Sequence, residues 1–185
     1  MAITANNARR GNPLRLAVWG GAGLLLLLPA VAMRFTAEVN WDETDFLVMG
    51  ALLLFACGGY ELAARMPGGR SYRAGAGAAI VAAFLLVWVN LAVGFLGGEG
   101  NPANLLFAGV IAVAIVGAVA ARGRPAGMAR AMTAAAVAQA LVGAAALTFG
   151  LGSPGGQGLY EVALGTTLFG GLWLLSAWLF RRASA

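Results

Sequence analysis

The chain has 185 residues, 61% hydrophobic and 10% charged, with a formal net charge of +5 and no histidine. Soluble domains carry about 25% charged residues, and disorder needs low hydrophobicity, so both classes are excluded. Imidazole-based haem and zinc centres fall with the missing histidine, and a single cysteine leaves neither an intrachain disulfide nor a CxxC redox pair.

A helix needs about 20 mostly apolar residues to cross the hydrocarbon of a bilayer. The first such stretch, 16–33, follows Arg9, Arg10 and Arg15. Ala30-Val31-Ala32 near its end also fits a cleavable signal, which would leave five spans. Against cleavage, the apolar run continues through Met33 and Arg34 follows directly. The connection after it holds Glu38, Asp42, Glu43 and Asp45, and the second span covers 46–64 with Cys57 and Glu61 inside. An Arg65–Arg73 loop leads to the third span, 74–97, with Trp88 near its middle and Asn90 in its latter part.

Glu99, Asn101 and Asn104 mark the next connection, where Asn101 with Pro102 reads as an N-cap followed by proline at the first helical position. A likeness of this Asn-Pro-Ala triplet to the aquaporin signature fails, because that architecture needs two copies and this chain has one. The fourth span, 103–121, ends at Arg122, Arg124 and Arg130. The fifth, 131–151, has Gln139 close to its midpoint. The sixth, 159–180, begins with Glu161 and ends at Arg181 and Arg182.

The arginines fall before span one and after spans two, four and six, whereas Arg34 and most acids fall on the opposite side. Arginine-rich short loops stay in the cytoplasm. The expected fold is therefore an all-α, polytopic transmembrane helix bundle of six spans in one domain, with both termini cytoplasmic. The basic balance has this topological origin and implies no nucleic-acid partner. In a bilayer, helices associate through close packing of small residues. The stripes Ala136, Ala140 and Ala144 with Gly143, Ala108 with Ala112 and Ala120, and Thr166–Gly170 with Thr167–Gly171 are expected to face neighbouring helices.

Polar side chains inside a bilayer are costly and rare, so each is a candidate for function. Glu61 stands four residues before Arg65, in the favourable order for an ion pair, and is otherwise a candidate relay. Asn90 and Gln139 are candidates for interhelical amide bonds or for lining a pathway with Glu161. Thr133, Thr148, Thr166, Thr167 and Ser176 are expected to return their hydroxyls to their own helices. Asp42, Glu43, Asp45 and Glu99 supply oxygens that suit a hard cation, but the first three also sit at a helix start, where acids are favoured by the dipole. No His/Cys/Asp cluster, GxSxG serine or phosphate loop is present in the sequence, so no catalytic residue, metal or cofactor is expected, and Cys57 reads as packing.

The stretch from Trp88, Asn90 and Phe95 through Glu99-Gly100-Asn101-Pro102-Ala103-Asn104, followed by Gly127-Met128-Ala129-Arg130, resembles a group of small uncharacterised bacterial inner-membrane proteins over residues 41–147. The resemblance implies a multispanning protein of the bacterial inner membrane and brings no activity with it. The reading that follows is a non-enzymatic accessory subunit or partner-binding scaffold, in contact with lipid and either another membrane protein or further copies of itself. The alternative is a small oligomeric transporter or channel, with polar residues of spans three, five and six along its path.

Overall fold

The computed structural model describes residues 13–66, 68–98 and 100–185. Six α-helices follow in order: α1 Pro13–Ala32, α2 Glu43–Arg65, α3 Arg70–Ala92, α4 Leu106–Ala121, α5 Pro125–Phe149 and α6 Gly156–Ser184, with a 3₁₀ turn Pro102–Leu105 leading into α4. Among the described residues there is no strand. All six helical segments, the fourth counted with its 3₁₀ turn, are long and apolar enough to cross a membrane, and only a minor share of each is buried within the chain.

Two compact units divide the chain, Met1–Glu61 and Leu62–Ala185. In the first, α2 begins with a reciprocal cap. The Asp45 amide donates to Asp42 Oδ1 at 2.9 Å, and the Asp42 amide donates to Asp45 Oδ2 at 3.0 Å, so two orphan donors of the first turn are satisfied together. Trp41 meets Phe46 edge-on, with centroids 5.3 Å apart. Met49, Leu53 and Cys57 are buried at four-residue intervals along α2, whereas the leucines of α1 at 24, 25, 27 and 28 are exposed.

In the second unit α3 packs on α6, α6 on α5 and α5 on α4, while the consecutive helices α3 and α4 barely touch. Glycine sets these approaches. A Cβ at Gly117 would strike Ala131, and one at Gly127 would strike Ala121, which fixes α4 and α5 as antiparallel neighbours. Gly143 stands against Thr166 in the α5–α6 seam, and Gly75 against Phe180 and Leu179 in the α3–α6 seam. One end of the unit gathers Met66 and Tyr72 against Gly123, and Tyr72 against Phe180 with centroids 5.1 Å apart. Arg70, Arg73, Arg122, Arg124, Arg181 and Arg182 therefore share that end.

The third span is shorter than its hydropathy implies. α3 stops at Ala92, and residues 93–98 turn back through Gly94, Gly97 and Gly98, all with positive φ. The reversal lets Leu96 become fully buried and seats Phe95 against Phe107 and Phe169, at 4.6 and 5.8 Å between centroids. A continued helix would carry both side chains past the core. The expected stripes on α4 and α5 also shift. Ala108, Ala112 and Ala120 are exposed, and the buried face of α4 runs through Phe107, Val110, Ala114 and Ala121. On α5, Ala140 and Ala144 are exposed, and the buried face follows Met132, Ala136, Gln139, Gly143 and Ala146. A row of strict four-residue steps drifts about 40° around a 3.6-residue helix at each step, so it leaves the seam that alternating steps of three and four follow. On α6, Gly170 and Gly171 meet no neighbour, and the tight approach is at Gly165, under the Phe95 ring.

Candidate functional site

Two places in the Leu62–Ala185 unit hold buried or half-buried polar side chains. At the end opposite the arginines, asparagines organise the connection before α4. Asn101 caps the 3₁₀ turn by accepting from the Ala103 amide at 2.9 Å, as its position before Pro102 predicts, and its Nδ2 donates to the Leu151 carbonyl at 2.8 Å. Asn104 accepts from the Leu96 amide at 2.7 Å and donates to the Gly98 carbonyl at 2.8 Å. These bonds pin the reversal after α3 to the start of α4 and the end of α5.

Because α3 and α4 do not pack on each other, a cleft of about 410 Å³ opens between them, lined in part by Leu86, Asn90, Leu91, Asn104, Phe107 and Ile111. Asn90 does not bridge to a neighbouring helix. Its Nδ2 donates to the Leu86 carbonyl of its own helix at 2.7 Å, and its buried Oδ1 has no partner.

The second place is the centre of the helix seams. Gln139 is completely buried, and neither its amide oxygen nor its nitrogen has a partner. No direct interhelical bond is formed by its amide in this structure. The hydroxyls behave in three ways. Thr133, Thr148 and Thr167 donate to the carbonyls of Ala129, Ala144 and Ala163 on their own helices, at 2.9, 2.7 and 2.8 Å. Ser176 instead crosses the seam to the Gly75 carbonyl at 2.7 Å. Thr166 does neither; its buried hydroxyl is turned into the seam opposite Gly143 and is unpartnered. The indole nitrogen of Trp173, two turns further along α6, is buried and unpartnered as well.

The remaining sequence candidates lie elsewhere. Glu161 is exposed, accepting from Gln157 Nε2 at 3.2 Å and Ser153 Oγ at 3.4 Å. Asn90, Gln139 and Glu161 thus occupy a cleft wall, a sealed seam and an exposed helix start, and the geometry does not join them into one passage. Within the Met1–Glu61 unit, Glu61 pairs with Arg15 and accepts from Trp19 Nε1 at 3.4 Å. Asp42 and Asp45 cap each other, Glu43 is exposed, and no set of acids among the described residues converges as ion ligands. Glu99 lies outside the described residues.

Thr166 and Trp173 were not legible as candidates. A threonine in a helix is usually satisfied by the carbonyl four residues back, and a tryptophan among leucines reads as bulk. The available signal is their seven-residue spacing on the face that also carries Phe169 and Phe180. No family model, curated protein or solved structure matches this chain.

Proposed function

We propose that the chain is a multi-pass protein of the bacterial inner membrane that works without catalysis, as an accessory subunit or scaffold binding a second membrane protein through α1 and α2. The observation that carries this reading is the set of open glycines on α1 and α2; the Leu62–Ala185 unit also has open ones, at Gly77, Gly109, Gly170 and Gly171, but fills those in its seams. In the α3–α6 seams, Gly75, Gly117, Gly127, Gly143 and Gly165 are each filled by a facing side chain. In α1 and α2, a Cβ at Gly20, Gly21, Gly23, Gly50 or Gly58 would meet nothing within 4 Å. Small residues in membrane helices are what allow a second helix to approach closely, so the open glycines of α1 and α2 offer contact faces to another helix.

The charge distribution supports an orientation with both termini in the cytoplasm. Arg70 and Arg73 occupy the first turn of α3, where the helix dipole disfavours cations. Their position is therefore better explained by the side of the membrane than by helix stability. The resemblance to small bacterial inner-membrane proteins accords with the same compartment.

The test is native mass spectrometry after gentle extraction from host membranes, combined with photo-crosslinking from Leu24 on α1 and, as a control, Leu168 on α6. The expected result is one second polypeptide at fixed stoichiometry, crosslinked from Leu24 and not from Leu168. A solitary monomer, or equal crosslinking from both positions, would overturn the reading.

A further inference from the structure

Gln139, Thr166 and Trp173 belong to one neighbourhood. Thr166 faces Gly143 across the antiparallel α5–α6 seam. One turn back from Gly143 on α5 is Gln139, and two turns on from Thr166 on α6 is Trp173, so in an antiparallel pair both steps lead the same way. The Gln139 side chain therefore lies at a level between the Thr166 hydroxyl and the Trp173 indole. The Gln139 amide, the Thr166 hydroxyl and the Trp173 indole nitrogen are each buried, and each lacks a partner.

Leaving such groups unsatisfied costs roughly 1–3 kcal/mol each, and in the interior of a membrane protein bulk water is not at hand to relieve them. The backbone does not relieve them: helical amides are spent on their own carbonyls, and, unlike Thr167 and Ser176, none of these three groups donates to a helical carbonyl. The chemistry of the set then decides what fits. Two amide hydrogens, a hydroxyl and an indole N–H are donors, while the amide and hydroxyl oxygens are acceptors. A cation would face N–H groups. An anion would leave the amide oxygen unpaired and would bring charge into a seam whose lining is neutral. Water both donates and accepts, and buried waters typically bind about three such groups.

We propose that Gln139, Thr166 and Trp173 form an internal water-binding site in the α5–α6 seam, where ordered water bridges the two helices. This inference does not depend on the scaffold reading above. The site explains why Thr166 forgoes the own-helix bond that its neighbour Thr167 makes, since its hydroxyl is turned towards the bridging water.

The experiment is water-edited solid-state NMR of the full ¹⁵N-labelled chain in lipid bilayers, reading the side-chain N–H signals of Gln139 and Trp173. Gln139→Met and Trp173→Phe assign the signals. Polarisation is expected to pass from water to both groups, and the transfer to Trp173 should fall several-fold in Gln139→Met. Thr166→Val, which keeps the volume, provides a second arm if Gln139→Met fails to assemble, and should also weaken the transfer. No transfer to either group in the wild type, or transfer to Trp173 unchanged by whichever variant assembles, would overturn the proposal. So would a signal that disappears when chloride is replaced by gluconate, because it would assign the site to an anion.

Discussion

The hydroxyl of Ser176 on α6 donates to the carbonyl of Gly75 on α3 at 2.7 Å, across 101 residues of sequence and at a fully buried position. The bond exists because Gly75 has no side chain. A Cβ there would press on Phe180 and Leu179 at 3.2–3.3 Å, so the backbones approach closely enough for a short hydroxyl to span the seam.

Ser176→Ala removes that donor while keeping the close approach. The expected loss is about 0.5–1.5 kcal/mol, within the usual range for an interhelical bond in a membrane. Reversible unfolding in mixed micelles measures it. Gly75→Leu should cost more than Ser176→Ala, since it pushes the helices apart as well as breaking the bond.

Gly143→Ala places a methyl group inside the Thr166 side chain. Overpacking of this kind costs about 1–3 kcal/mol. The loss should shrink in a Thr166→Ala background, because the two nearest colliding atoms, Oγ1 and Cγ2, are then gone and only Cβ remains close. A double-mutant cycle reads the coupling directly, and additive losses would show that the two residues do not share the seam.

Asn104→Ala deletes the bonds that hold the Leu96 amide and the Gly98 carbonyl. A stability loss of about 1–3 kcal/mol is expected, with hydrogen exchange rising first in residues 93–101. Asn104→Asp keeps the acceptor for the Leu96 amide and loses the donor, so it should fall between wild type and Asn104→Ala.

Orientation is checked with cysteines placed in a Cys57→Ser background. A cysteine at Ser153 should react with a membrane-impermeant maleimide in intact cells. One at Arg124 should react only after the membrane is opened. The reverse pattern would invert the proposed topology.

The six helices were legible because each is a long, continuous apolar run. The early end of α3 was less so. Val93, Phe95 and Leu96 are as apolar as the helix before them, and only the positive-φ glycines at 94, 97 and 98 record the turn. Gln139 stood out from composition alone, as a lone amide in an alanine-rich span. Its neighbours Thr166 and Trp173 did not, because their relevance arises from the pairing of Gly143 with Thr166 between two helices, which no spacing within one helix can report. Helix faces were misread where small residues repeat every fourth position, since alanine is accepted equally by a seam and by lipid.

The partnership of α3 with α6, in place of its immediate successor α4, has a consequence for biosynthesis. Translation proceeds at about 5–20 residues per second, so α3 leaves the ribosome on the order of ten seconds before all of α6 has been made. During that interval its closest seam, through Gly75, faces lipid or the insertion machinery. A nascent chain arrested within the α5–α6 connection should therefore hold α3 in a state that the insertion machinery has not yet released to the finished bundle.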